Sequence, residues 1–302
     1  MSAPASGNVG VAVVRRRARA ARENFSGFMR RLVRHRSAMV GLSITGLLAI
    51  IAVLAPAIAP FDPLEQNLRA ALLPPSTSHW MGTDEFGRDI FSRILYGASI
   101  SLEVGLLVVF VSGTVGVTLG LLAGYFEGWV DAVISRGIDI LLAFPGLLLA
   151  IAIVTVLGAS LVNALIAISI ANIPRYARVT RGVVLSQKQR DYVAAARALG
   201  SGHARILLLH VLPNISAPII VLASLGVATA ILTAASLSFL GLGAQPPEPE
   251  WGAMLSSGRS YIRRAWWVTV FPGLAIMVTV LALNLFGDGL RDVLDPKTKA
   301  RS

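Results

Sequence analysis

The sequence predicts an all-α polytopic membrane protein with six transmembrane helices, and three observations carry that expectation. Of 302 residues, 55% are hydrophobic and only 14% charged, where a soluble domain holds roughly a quarter charged. Uncharged runs long enough to cross a bilayer recur along the chain. Basic residues cluster beside those runs: of 27 Lys and Arg, nine fall in 1–37, seven in 174–213 and four in 288–302. That is the bias of segments kept on the cytoplasmic face.

The elements follow in order from the spacing of charge, since a crossing needs about 20 mostly apolar residues. Residues 1–37 form a basic cytoplasmic N-terminal region, and 38–59 carry no charge and make the first crossing. Ala55-Pro56-Ala57 has the small residues of a leader cleavage site. The basic region and apolar run before it both exceed leader proportions, so a retained helix is expected. Residues 60–97 form an external segment in which Asp62, Glu65, Asp84, Glu85 and Asp89 outnumber Arg69, Arg88 and Arg93.

The main helical domain follows over 98–288, its first crossing at 104–126 between Glu103 and Glu127. Asp139 and Arg175 then enclose 35 uncharged residues, about 52 Å as one straight helix. Two short crossings with a turn at 158–160 are therefore expected, the first carrying Pro145. Between Arg205 and Glu248, Pro213 and Pro218 mark a helix start, while Gly241, Gly243, Pro246 and Pro247 mark a loop, leaving one crossing over 214–238. The last crossing, 265–287, returns a tail at 289–302 to the side of the basic N-terminus. Both termini and 174–213 are thus expected in the cytoplasm, with 60–97 and 239–264 outside.

Several chemistries lack material. The net charge of +11 raises nucleic-acid binding, but no aromatic-basic interleaving for base stacking accompanies it, so no nucleic acid is expected. There is no cysteine, hence no disulfide, thiolate metal site or Cys nucleophile. No Gly-x-x-x-x-Gly-Lys-Ser/Thr occurs, so any ATP energy must come from a partner. His35, His79, His203 and His210 show no zinc-binding spacing, and no Gly-x-Ser-x-Gly elbow is present. No catalytic residue, cofactor or metal site is expected. Glu103 and Asp139 fall at predicted span ends, which leaves little for a proton relay. Gly116, Gly120 and Gly124 recur every four residues, a face on which another helix can approach closely.

The cytoplasmic loop 174–213 is the informative part. Over 188–200 it is rich in Ala, Leu and Arg, with Tyr192, Ala196 and Leu199 on one helical face and Gly200 placed to end the helix. A short helix docked on another protein is expected there.

At this loop the sequence resembles the permease subunits of binding-protein-dependent ABC importers. Their signature runs Glu-Ala-Ala, three residues, Gly, nine residues, an apolar residue, one more, then Leu-Pro. Here the matching positions are Ala194, Ala195, Ala196, Gly200, His210, Leu212 and Pro213. Ala194 replaces the family Glu and His210 the apolar residue; Asp191, one turn earlier, is placed to substitute for the lost carboxylate. The segments HWMGTDEFGRDIFSRILYGASISL, GLLAGYFEGWVDAVISRGIDILLAFPGLLLAI and WWVTVFPGLAIMVTVLALNLFGDGLRDVLDPK resemble the second permease of the dipeptide/oligopeptide group. Nickel and glutathione importers use similar subunits.

The resemblance implies a type I importer transmembrane fold in the cytoplasmic membrane and an ATPase-coupling loop formed by Asp191, Tyr192, Ala194, Ala195, Ala196, Gly200, Leu212 and Pro213. It also implies the partners: a homologous permease, two ATP-binding subunits that hold the ATP, an external solute-binding protein and the lipid bilayer.

Overall fold

The computed structural model describes residues 27 and 29–294, so most of the basic region expected at 1–37 and of the tail expected at 289–302 lies outside the described residues. Nine helices account for most of the described chain: α1 Arg36–Ile58, α2 Ile90–Phe126, α3 Gly128–Leu142, α4 Gly146–Leu157, α5 Leu161–Lys188, α6 Asp191–Ala198, α7 His203–Phe239, α8 Trp251–Gly258 and α9 Trp267–Leu294. Among the described residues no strand occurs, only an isolated bridge between Thr83 and Asp89. By length and composition α1, α2, α7 and α9 each suffice to cross a membrane, and α3 with α4 makes a fifth span if the bent pair counts as one. Pro56 lies inside α1, so residues 55–57 are helical.

Four boundaries differ from expectation, each for a local reason. Helix α2 starts at Ile90 rather than near 104, because the Asp89 carboxylate accepts from Ser92 N at 2.8 Å and caps it. Pro145 was expected inside a crossing. It instead separates α3 from α4, which meet at 88°, as a residue without an N–H and hostile to helix before it dictates. Helix α5 runs through Pro174 to Lys188, so the connection between membrane helices is far shorter than 174–213. Finally, Pro213 stands in the first turn of an α-helical run, Leu212–Phe239, as expected, but that run continues a π-helical stretch, Ile206–Val211, so the helix as a whole begins earlier, at His203; widening the helix accommodates the proline ring against the preceding turn. The turn expected at 158–160 is where predicted: Gly158 has φ +95°, and Ser160 caps α5 by accepting from Asn163 N.

Helix α2 is the centre of the bundle and packs against α1, α3, α5 and α7, most extensively against α5. The glycine repeat explains that pairing. A Cβ at Gly116 would lie 2.6 Å from Tyr176 Cβ, one at Gly120 2.5 Å from Ala177 O, and one at Gly124 2.9 Å from Arg181 O. Only hydrogen at these positions lets the two backbones touch.

Segment 60–89 folds as a cap on the N-terminal end of α2. Arg93 is buried and donates to Pro63 O and Pro247 O at 2.8 and 3.3 Å, pulling the cap and the 240–250 loop onto one helix turn. Trp251 Nε1 donates to Ile94 O, and Trp267 Nε1 to Thr83 O. Glu250 begins α8 by accepting from Ala253 N at 2.8 Å; burial pushes its carboxyl above the usual carboxylate range.

Candidate functional site

Opposite that cap, α2, α5 and α7 end around the short helix α6. Val193 and Ala196, three residues apart, are buried in one apolar cluster with Leu121, Tyr125, Val184, Ile206 and Ile215. The helix is thereby seated on the ends of three longer ones. Asp191, Ala194, Ala195, Ala198 and Leu199 all face outward, Leu199 with 86% of its surface exposed. This outward row of small and apolar side chains has no partner among the described residues. The face expected from Tyr192, Ala196 and Leu199 is therefore divided: Ala196 is buried, Tyr192 half-buried and Leu199 exposed.

The end of α6 is built by its glycine. Gly200 has φ +74°, which L side chains rarely adopt. Its N–H donates to Arg197 O at 2.9 Å and Ser201 N–H to Ala196 O at 3.0 Å, the paired bonds of a left-handed C-terminal cap. An added Cβ would meet nothing within 4 Å, so conformation, not space, demands glycine here. At the other end Asp191 occupies the first turn, where a carboxylate suits the helix dipole. Tyr192 Oη donates to Gln187 Oε1 at 3.0 Å, and burial raises its hydroxyl pKa.

His210 sits in the π-helical entry to α7, and Leu212 and Pro213 directly follow it at the start of the α-helical run. His210 is half-buried and its carbonyl accepts from Asn214 Nδ2 at 2.6 Å. Leu212 packs at the edge of the α6 cluster and Pro213 is exposed. The fold thus gathers Asp191 to Gly200 into one unit, with Leu212 and Pro213 behind it.

Sequence reasoning missed Tyr125, at the last turn of α2 and 3% exposed. Its Oη lies 2.9 Å from His203 Nδ1, and the Arg197 guanidinium stands 5.4 Å from its ring centre. It is 78 residues from His203, and no local signal joins the two. The only hint was its place at the end of an uncharged run followed by Glu127.

An α-helical bundle with bilayer-length apolar helices and a short, exposed helix seated on one end of them is the architecture of a membrane-embedded subunit. The chain belongs to the family of binding-protein-dependent transport system inner membrane components, whose model matches residues 116–300; a second model, the N-terminal TM domain of oligopeptide transport permease C, matches 24–75.

The relatives agree. The dipeptide transport system permease protein DppC of Alkalihalophilus pseudofirmus is 52% identical over 271 residues, covering 90% of this chain and 89% of the relative. The di/tripeptide permease DppC of Pseudomonas aeruginosa is 50% identical over 278 residues, 90% of this chain and 92% of the relative. The glutathione transport system permease protein GsiD of Pectobacterium atrosepticum is 50% identical over 275 residues, 90% and 91%. A solved methionine ABC transporter in an inward-facing conformation matches 68% of this chain and 98% of its own at TM-score 0.56 and 17% identity, a likeness in fold. The chain is a permease subunit of an ABC importer.

Proposed function

We propose that the chain imports di- or oligopeptides as one of two homologous permeases, with six crossings and both termini in the cytoplasm. The sixth crossing is α5, whose 28 residues reach about 42 Å. Two partner ATPases bind the ATP, and an external binding protein delivers the peptide. The observation that carries this reading is the outward face of α6, seated by Val193 and Ala196 on three membrane helices and capped by Gly200. Peptide is the substrate class because relatives at about half identity are named for dipeptides, tripeptides and glutathione, which share amide groups and free carboxylates.

Pro218, Leu222 and Leu225 of α7 line a cavity of about 630 Å³ near the inner end, and Leu232, Ser236 and Leu240 one of about 350 Å³ near the outer end. Thr229 and Thr233 lie between on the same helical face, their hydroxyls exposed and donating to the carbonyls four residues earlier. This face forms one wall of the path, and the partner permease supplies the other. ATP-driven closure of the ATPases would swing the two bundles about it.

The test is joint expression with the partner permease and ATPases. The complex co-purifies on this chain, and Ala195→Arg, which places a long charged side chain on the outward face, abolishes ATPase retention without unfolding the chain. Retention of the ATPase by that variant refutes the reading. Asp191→Ala is expected to leave the complex assembled and to lower uptake about tenfold, the effect of about 1.4 kcal/mol lost at a charged contact. Unchanged uptake would show that Asp191 does not replace the absent glutamate.

A further inference from the structure

We infer that Tyr125 is the latch through which movement of α6 reaches α2, a positioning residue for transport; the inference rests on the reading of α6 as the ATPase-coupling helix. Only Gln189 and Arg190 separate α5 from α6, and four residues separate α6 from α7. A force on α6 therefore reaches α5 and α7 through the backbone. Helix α2, the centre of the bundle, has no such link; beyond its close packing on α5 it meets α6 and the start of α7 through side chains at its C-terminal end.

Tyr125 is the residue placed to do so. It is buried at the inner end of α2 while the groups around it are on the surface: Arg197 on α6 and His203 at the start of α7 are exposed. The hydroxyl meets His203 Nδ1 at 2.9 Å, the ring carries Arg197 at 5.4 Å on one side and packs edge-on against His203 at 5.6 Å. Lys188 at the end of α5 donates to the Tyr125 carbonyl at 2.7 Å and pairs with Glu127 at 3.0 Å. The Tyr125 side chain thus holds the coupling helix and the entry to α7 against α2, while its backbone carbonyl holds the end of α5. Cation–π and hydroxyl contacts are directional, whereas the surrounding apolar cluster is held by a force that has no preferred direction.

The latch predicts a loss of coupling rather than of fold. In the full reconstituted complex with its binding protein, Tyr125→Phe removes the His203 bond and keeps the ring; Tyr125→Leu removes both. Uptake per ATP hydrolysed is expected to fall about threefold for Phe and by more than tenfold for Leu, with complex yield and ATPase rate retained. A structural role would instead lower yield and thermal midpoint and leave that ratio alone. Should Tyr125→Leu not assemble, Tyr125→Phe with His203→Ala decides: the double variant is no worse than either single one if the two act as a unit, and independent losses overturn the latch. Ala195→Arg is the control. If it releases the ATPase while Tyr125→Leu and Tyr125→Phe keep full uptake per ATP, the latch is wrong and the α6 reading stands. If it retains the ATPase and full uptake, both fall.

Discussion

Replacing Gly120 by Val is expected to abolish accumulation of the folded chain in the membrane. The position allows no compromise: a Cβ there would lie 2.5 Å from Ala177 O and 2.6 Å from Thr180 Cβ, and one of the two is backbone. Overpacking a core costs about 1–3 kcal/mol where side chains can shift. Here α2 and α5 would have to separate along their length, breaking contacts at Gly116 and Gly124 as well. Membrane yield and the thermal midpoint of the detergent-solubilised chain measure this. Gly137→Ala on α3 is the control, because nothing lies within 4 Å of its added Cβ and alanine favours helix by about 1 kcal/mol over glycine; it should be neutral or stabilising. A Gly120→Val chain with parental yield and midpoint would mean that α2 and α5 do not pack as described.

The second large effect is functional rather than structural. Gly200→Val should leave the bundle folded, since a Cβ added there meets nothing within 4 Å, and yet uncouple transport. A non-glycine residue in the left-handed region costs about 1–2 kcal/mol, a factor of about 5 to 30 in the population of the capped end of α6. A β-branched residue stands at the upper end. Uptake by the full complex should fall by about that factor, while Gly200→Asn, which tolerates the left-handed region, stays close to the parent. Full uptake by the valine variant would remove the C-terminal cap from the account.

Charge spacing located α1, α2, α7 and α9 because charge is costly in a bilayer core whatever the tertiary packing. The turn at 158–160 and the helix ending at Gly200 were legible for a similar reason: glycine chemistry there is local. What the sequence hid depends on contacts distant in the chain or on compensation within it. The early start of α2 follows from a cap at Asp89 that also contacts His79. Pro213 stands in the first turn of the α-helical run Leu212–Phe239, as it reads, yet a π-helical stretch before it carries the helix back to His203. The face of α6 was misjudged because Tyr192, Ala196 and Leu199 share a helical stripe, but the helix ends at Ala198, and Leu199 follows the chain out of the stripe. Val193 takes its place in the core. Tyr125 could not be singled out from an apolar run that holds 23 residues without charge.

The claim on which the rest depends is that α6 is a cytosolic handle gripped by an ATP-hydrolysing subunit. The chain has no cysteine, so one thiol placed at Leu199 reports alone, and its 86% exposure makes it reactive wherever the face is free. In inverted membrane vesicles an impermeant maleimide should label it, and the co-assembled ATPase should block that labelling. Labelling of the same thiol from outside intact cells, or equal labelling with and without the ATPase, would contradict the account.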